Sequence, residues 1–201
     1  MSESSSVYVV DDDPAMRDSL KWLLESVDFQ VHVFESATSF LEEYGGQRPA
    51  CLVLDVRMPG MSGLDLQDEL VRRGITIPMI MISAHGDVPV AVRALKTGAI
   101  DFIEKPFSDQ LLLDRVRQAL HNDQQASETD EVKETIRARK ASLTPREKEV
   151  MELVVAGNPN KSVASHLGLS QKTVEIHRAR VMSKMSAGSL AELVRDCLML
   201  K

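Results

Sequence analysis

Short apolar runs alternate with amphipathic helical segments over the first 120 residues, and this alternation limits the folds open to the chain. The apolar runs end abruptly in turn or charged residues, whereas the segments between them repeat apolar residues at helical spacing. The runs occupy residues 7–10, 31–33, 51–54, 77–82 and 100–103, and the helical segments occupy 16–27, 37–41, 64–71, 88–95 and 111–120. This order predicts an α/β domain with a doubly wound, five-stranded parallel sheet and helices on both faces.

The remainder of the chain is helical in pattern and predicts a small all-α domain over residues 142–201. Two pairs have the spacing of a capping box at a helix start, Thr144 with Glu147 and Ser189 with Glu192. Residues 122–141 lose the apolar periodicity and gather charged and amide side chains. We therefore expect an interdomain linker there, and Val132 with Ile136 indicates a helical stretch within it.

Length and charge agree with two domains. At 201 residues the chain exceeds the usual size of one domain. Residues 1–141 carry 15 Lys and Arg against 24 Asp and Glu, whereas residues 142–201 carry 9 against 6. The second domain is therefore mildly basic, which by itself is weak support for nucleic-acid binding.

The cysteines, the amino-terminal residues and the length of the apolar runs indicate the cellular location of the protein. Cys51 and Cys197 lie in an apolar strand run and on an apolar helix face, which predicts buried, reduced thiols. The amino-terminal residues MSESSS lack a basic segment followed by an apolar core. No apolar run approaches the roughly 18 residues of a membrane span. We expect a cytoplasmic protein that does not associate with a membrane.

Five polar residues are predicted at the carboxyl ends of strands: Asp11, Asp12, Asp55, Ser83 and Lys105. If the first and third strands are neighbours, the three carboxylates converge, and like charges raise one another's pKa. Mg²⁺ suits such a site, because it binds a few carboxylates together with phosphate oxygens. The pattern predicts a metal and anion site in which Asp55 attacks a phosphoryl group.

Each of these residues taken alone also fits an ordinary structural role. The three consecutive acidic residues suit a solvated loop, Asp55 suits a turn, and Lys105 suits a surface charge beside a turn proline. Their joint occurrence at the ends of four predicted strands favours a functional site, since this edge of an open α/β sheet binds ligands.

Six sequence motifs occur in order: VDDD (10–13), LDVRMPGMSG (54–63), SAHG (83–86), DFIEKPF (101–107), LTPREKEVMELVVAG (143–157) and NKSVASHLGLSQKTVEIHRARVMSKM (160–185). With these motifs nearly the whole chain resembles the response regulators of two-component systems, of the FixJ/NarL type. The resemblance implies a flavodoxin-like receiver domain over 1–121 and a LuxR-type DNA-binding domain over 142–201, with the helix-turn-helix at about 160–184.

In the receiver, the resemblance implies that Asp55 accepts phosphate from a sensor histidine kinase. Lys105 and the Ser83 hydroxyl would contact the phosphoryl oxygens, although the family often has Thr at the Ser83 position. Phe102 would be the aromatic switch residue, and a cis Pro106 would direct Lys105 into the site. The implied Mg²⁺ ligands are Asp11, Asp12, Asp55 and the backbone carbonyl of Arg57.

In the second domain, the resemblance implies a support helix at 160–167 and a recognition helix at 170–184. The residues expected to face DNA are Lys161, Lys172, Thr173, Glu175, Ile176, Arg178, Arg180 and Lys184. Arg178 is expected to read a base and Lys172 to contact a phosphate. Glu175 is acidic and Ala179 stands where relatives can carry Lys, so base reading rests on few residues.

The implied function is transcription regulation controlled by phosphorylation. The phosphorylated protein would form a homodimer through Arg93, Lys96 and Asp101 and would bind double-stranded DNA in a sequence-specific manner. RNA polymerase is a further candidate partner.

Two other functions remain open, a receiver-like regulator that ignores phosphate and an aspartyl-phosphate hydrolase. Such hydrolases commonly need a second Asp two residues after the nucleophile, whereas residue 57 is Arg. A P-loop nucleotide enzyme is disfavoured because the chain has no GxxxxGK[ST] run. We therefore expect a regulatory protein and not an enzyme.

Overall fold

A computed structural model describes residues 5–84 and 88–200, so His85 and Gly86 of the SAHG motif lie outside the described residues. The chain divides into two units, Met1–Ser127 and Glu128–Lys201. Within the described ranges, no helix is both long enough and apolar enough to cross a membrane.

The first unit alternates strands and helices in the predicted order. Its elements are β1 (Ser6–Val10), α1 (Pro14–Glu25), β2 (Gln30–Phe34), α2 (Ala37–Glu43), β3 (Ala50–Asp55), α3 (Gly63–Arg72), β4 (Met79–Ser83), α4 (Val88–Lys96) and β5 (Asp101–Glu104). Helix α5 (Asp109–Ala141) follows and extends into the second unit.

The five strands form one parallel sheet in the order β2-β1-β3-β4-β5. Strands β1, β3 and β4 are buried along their whole length, because both sheet faces are covered by helices. Alternate side chains point to opposite faces. Tyr8 and Leu52 join a core with α2, α3 and α4, whereas Val7 and Val53 join one with α1 and α5. The predicted doubly wound sheet is confirmed.

Some element boundaries differ from the prediction for local reasons. Strand β4 begins at Met79 instead of Ile77, because Pro78 has no N–H to donate and only its carbonyl accepts a bond, from the Leu52 N–H at 2.8 Å. Helix α3 begins at Gly63 behind a capping box formed by Ser62 and Asp65, which the sequence reading did not identify.

The segment predicted as a linker with a helical stretch is helical throughout. Helix α5 has 33 residues and contains neither Gly nor Pro, so no residue in it interrupts helical hydrogen bonding. Most of 122–141 is exposed, which is why it shows no apolar period. Ile136 is an exception, since it is buried in the core of the second unit.

Asp123 ties the early part of this segment to the first unit. Its side chain is 2% exposed and forms an ion pair with Arg48, with 2.8 Å between Arg48 Nη2 and Asp123 Oδ1. Its Oδ2 also accepts the Ala50 N–H at 2.9 Å. The carboxylate therefore satisfies the first backbone donor of β3 in addition to the guanidinium.

The second unit contains the end of α5 and four shorter helices, α6 (Pro145–Val155), α7 (Asn160–Leu167), α8 (Gln171–Met185) and α9 (Leu190–Met199). The predicted capping box of Thr144 and Glu147 is present. At α9, Ser189 caps the helix as expected, but the Glu192 carboxylate accepts the N–H of Gly188 instead of that of Ser189. The second pair is therefore an N-cap without the reciprocal bond.

Candidate functional site

The carboxyl edge of the sheet brings Asp11, Asp55 and Lys105 together. Asp55 is the last residue of β3, Asp11 follows β1 directly, and Lys105 follows β5. Strands β1 and β3 are paired neighbours, as the prediction required. The Lys105 N–H donates to the Ser83 carbonyl at 2.8 Å, which fixes the start of the Lys105 side chain at the end of β4.

The Lys105 ammonium lies between the two carboxylates. Its Nζ is 2.6 Å from Asp55 Oδ1 and 2.9 Å from Asp11 Oδ2. The side chains of Asp11 and Asp55 are 1% and 8% exposed, and that of Lys105 is 17% exposed. These are partly desolvated charges, for which Coulomb interactions are stronger than at a fully exposed surface.

Backbone donors orient both carboxylates. The Arg57 N–H donates to Asp55 Oδ2 at 2.7 Å, and the Asp13 N–H donates to Asp11 Oδ1 at 2.9 Å. Arg17 Nη1 donates to the Asp11 carbonyl oxygen at 2.7 Å and so supports the β1 end from α1. The sequence reading did not single out Arg17, since a helix residue six positions after Asp11 gives no signal of this contact.

Burial raises the pKa of the Asp55 carboxyl, and the nearby charge of Asp11 adds to this effect. The hydrogen bond and charge of Lys105 and the Arg57 N–H act in the opposite direction without cancelling it. For Lys105, burial would lower the ammonium pKa, but its bonds to Asp55 and Asp11 outweigh burial and raise it. The lysine therefore stays charged beside the acidic pair.

Gly63 is required where the loop after β3 returns to the strand end. A Cβ atom built on Gly63 would overlap the carbonyl oxygen of Asp55. The Gly63 N–H also donates to the Val56 carbonyl at 3.0 Å. The sequence does not show this requirement, because the close backbone approach arises from tertiary structure.

The other predicted receiver residues differ in their position and burial. Ser83 is 2% exposed and ends β4, whereas the side chain of Asp12 is exposed. Phe102 is partly buried against the core that includes α4. The peptide bond between Lys105 and Pro106 is cis, as expected. The structure thus brings together Asp11 and Asp55 but places Asp12 at the surface.

Helix α8 presents a sharply divided surface. Val174, Val181 and Met185 are buried in the second unit. Lys172, Glu175, Ile176 and Arg180 are exposed, and Lys161 is exposed on α7. The side chain of Thr173 is half-buried, with its N–H bonded to the Ser170 cap at 3.0 Å.

Two cationic residues predicted to face DNA have partners within their own unit. Arg178 is half-buried, and its Nη1 donates to Asn160 Oδ1 at 3.1 Å. Lys184 Nζ lies 2.7 Å from the buried Glu147 Oε2. The hydrogen bond from Lys184, together with hydrogen bonds from Thr144, lowers the pKa of Glu147 to about 2. These contacts hold α7 and α6 against α8.

The three residues predicted at the dimer face lie on α4 and β5. Arg93 Nη2 is 2.6 Å from Asp68 Oδ2 on α3, and Asp101 Oδ2 is 2.7 Å from Arg115 Nε on α5. Lys96, the last residue of α4, is exposed.

Comparison with protein families also divides the chain into two parts, and the boundary between the structural units lies in the gap between them. Residues 7–117 match the response regulator receiver domain, and residues 141–196 match the bacterial regulatory proteins of the luxR family. The chain belongs to the response regulators. It combines a receiver with a LuxR-type DNA-binding domain, as the motifs predicted, and it is a transcription regulator of the two-component type.

The chain matches relatives over most of its own length and most of theirs. It is 45% identical to the transcriptional regulatory protein FixJ of Bradyrhizobium diazoefficiens, over 97% of this chain and 95% of that protein. It is 48% identical to nodulation protein W of the same organism, over 96% of this chain and 86% of that protein.

Two solved structures share the fold of this chain. The low-resolution structure of the response regulator StyR has a TM-score of 0.88 at 42% identity and covers 98% of this chain and 99% of that one. Full-length FixJ from B. japonicum has a TM-score of 0.60 at 45% identity, over 97% of this chain and 96% of that one.

Receivers of response regulators generally bind Mg²⁺ at an acidic pocket, and the donor set of this receiver fits such an ion. Asp11 and Asp55 supply hard oxygen ligands, and the single charge of Lys105 leaves the pair with net negative charge. Among residues 5–84 and 88–200, however, no group of three or more His, Cys, Asp or Glu side chains lies close enough to hold a metal. Two carboxylates, those of Asp11 and Asp55, are in place here, and a bound ion would need further oxygen ligands.

Proposed function

We propose that a sensor histidine kinase phosphorylates Asp55 and that this controls DNA binding by the second domain. One observation carries the proposal: the Asp55 carboxylate is held between the Lys105 ammonium at 2.6 Å and the Arg57 N–H at 2.7 Å. The domains are proposed to span residues 1–121 and 142–201, with 122–141 between them. The hydrolase alternative is disfavoured because residue 57 is Arg.

In the proposed reaction, a carboxylate oxygen of Asp55 attacks the phosphorus atom of the donor. An O–P bond forms as the bond between phosphorus and the donor breaks, and its electron pair leaves with the donor. Lys105 moves from its ion pairs to the phosphoryl oxygens and offsets their negative charge. The Ser83 hydroxyl, at the end of the neighbouring strand, contacts the same oxygens.

Mg²⁺ is the proposed cofactor of this step. Asp11, Asp12, Asp55 and the backbone carbonyl of Arg57 would hold it, with Asp12 reaching inward from the surface. When bound, the ion neutralises charge on the phosphoryl oxygens. The Arg57 N–H and the Asp13 N–H keep the two buried carboxylates oriented before it binds.

Phosphorylation is proposed to change the positions of side chains on β4 and β5. Ser83 moves toward the phosphoryl group, and Phe102 turns inward into the space behind it. The Lys105 N–H bond to the Ser83 carbonyl, 2.8 Å long, couples the ends of these two strands. Phe102 is partly buried beside α4, so its inward movement changes the surface that α4 and β5 present.

Phosphorylation is proposed to produce a homodimer through Arg93, Lys96 and Asp101. In the single chain, Arg93 pairs with Asp68 and Asp101 pairs with Arg115. The Arg93 pair is solvent-exposed and the Asp101 pair is partly exposed. Pairs at the surface are individually weak, at about 0 to 1 kcal/mol. They can therefore exchange for contacts with a second copy at little cost.

We expect the full chain to become dimeric at micromolar concentration when it is treated with beryllofluoride and Mg²⁺. Arg93→Ala and Asp101→Ala remove charges from both sides of a two-fold interface, so both should weaken the dimer. Light scattering measures the change. Lys21→Ala, on α1, is the control and should leave the dimer intact. Beryllofluoride that leaves the wild-type chain monomeric would contradict the proposed dimer.

DNA binding is proposed to place α8 in the major groove, with RNA polymerase as a further partner at the promoter. Lys172 lies at the amino end of α8 and is exposed, a position suited to a phosphate contact. We expect Lys172→Ala to weaken binding to all sequences alike and to reduce the salt dependence by about one unit of slope.

Fluorescence anisotropy at several salt concentrations measures that slope. Lys148→Ala, on α6, changes the net charge of the domain equally and is the control for general electrostatics. Equal slopes for wild type and Lys172→Ala would mean that α8 does not contact the backbone at this residue.

A further inference from the structure

The exposed face of α8 has an apolar side chain at its centre. Val174, Val181 and Met185 fix the inward direction of the helix. With about 3.6 residues per turn, the residues that lie opposite them are Lys172, Ile176, Ala179 and Ser183. All four are exposed, and Ile176 is 47% exposed. A branched apolar side chain therefore stands where the helix would meet a ligand.

The arginine expected to read a base does not share this direction. Arg178 lies on the side of Val174 and Val181, is half-buried, and is bonded to Asn160 of α7. Its contact stabilises the packing of the two helices of the helix-turn-helix. The outward positions in the first half of α8, which approaches base edges in this motif, belong to Lys172 and Ile176, and Glu175 is exposed beside them.

We propose that this response regulator selects thymine through Ile176 and cytosine through Glu175, an inference that rests on the proposed entry of α8 into the major groove. The thymine 5-methyl group is the apolar feature of that groove. A purine would place its N7 acceptor against Ile176 and lose water without gaining a hydrogen bond, and cytosine has only C5–H where thymine has the methyl group. The Glu175 carboxylate only accepts hydrogen bonds, and the cytosine N4 amino group donates them.

The test begins with selection of binding sites from a random duplex library by the full chain, treated with acetyl phosphate and Mg²⁺. The enriched half-site should contain both pyrimidines. Each thymine is then replaced singly by deoxyuridine, which lacks only the 5-methyl group. At one thymine position per half-site, loss of the methyl group should weaken binding about fourfold. That factor corresponds to the free energy of burying one methyl group.

Variants connect that methyl group to Ile176. Ile176→Ser should bind the thymine and uracil duplexes equally, whereas Ile176→Val, which keeps a branched apolar side chain, should still prefer thymine. Leu198→Ser removes another exposed apolar side chain, on α9, and should leave the thymine preference unchanged. Glu175→Gln should relax the preference for cytosine at a second position.

The outcomes separate the inference from the proposed function. An enriched site whose affinity is insensitive to every uracil substitution would overturn the reading of thymine by Ile176 while leaving DNA regulation intact. The same holds if Ile176→Ser still prefers thymine. Failure of the phosphorylated chain to bind any library DNA would overturn both proposals.

Discussion

Asp55→Asn takes no phosphoryl group from acetyl phosphate in the presence of Mg²⁺, whereas the wild-type chain is labelled once. The expectation follows from the chemistry of the side chain, because an amide oxygen is a far poorer nucleophile than a carboxylate. Lys105 and the Arg57 N–H are still present in the variant, so the electrostatic surroundings of the site remain. A phosphate-affinity gel or an intact mass spectrum measures the change from one label to none.

Asp13→Asn is the matched control for this experiment. Asp13 is an exposed carboxylate of the same acidic run, and it caps α1 through the Ala15 N–H at 2.9 Å. Asn caps helices about as well as Asp, so the variant should fold normally and keep its single label. Undiminished labelling of Asp55→Asn, or loss of the label in Asp13→Asn, would show that another carboxylate accepts the phosphoryl group.

Asp123→Ala is expected to lower the free energy of unfolding of the first unit by about 3 kcal/mol, the lower range for breaking a buried ion pair. The carboxylate is 2% exposed. Its removal takes away the ion pair with Arg48 and the acceptor of the buried Ala50 N–H. Arg48 is 25% exposed and regains some water, which places the effect at the lower end. Urea denaturation followed by fluorescence of Trp22, the single tryptophan of the chain, monitors α1 of that unit.

The control for this prediction is Asp114→Ala on the same helix. Asp114 is 59% exposed and lies 3.6 Å from Arg117, so its loss should cost well under 1 kcal/mol. If Asp123→Ala proves no more destabilising than Asp114→Ala, the ion pair with Arg48 does not hold this part of α5 in place.

The helices and strands could be predicted from the sequence more fully than the contacts between them. The five strands and their flanking helices were predictable because apolar periodicity reflects burial, and burial on both faces defines a parallel sheet. The capping box at Thr144 was predictable because it joins residues close in sequence. The helical character of the whole 122–141 segment was only partly visible, because exposed helices leave no apolar pattern.

The candidate site was predictable in its composition and less so in its arrangement. Asp11, Asp55 and Lys105 were placed at one edge because parallel strands end together. That Lys105 bridges two carboxylates while Asp12 faces outward depends on side-chain directions at the strand ends, which the sequence pattern does not encode.

The sequence by itself determined the order of elements, the edge of the sheet at which the acidic residues gather, and the family to which the chain belongs. Only the tertiary structure decided that Gly63 must lack a side chain, that Asp123 belongs to the first unit, and that Arg178 packs against α7 while Ile176 faces outward. The physical reason is the separation in sequence between the residues that interact. Periodicity and caps depend on neighbours within a few residues, whereas these contacts join residues that only the packed chain brings together.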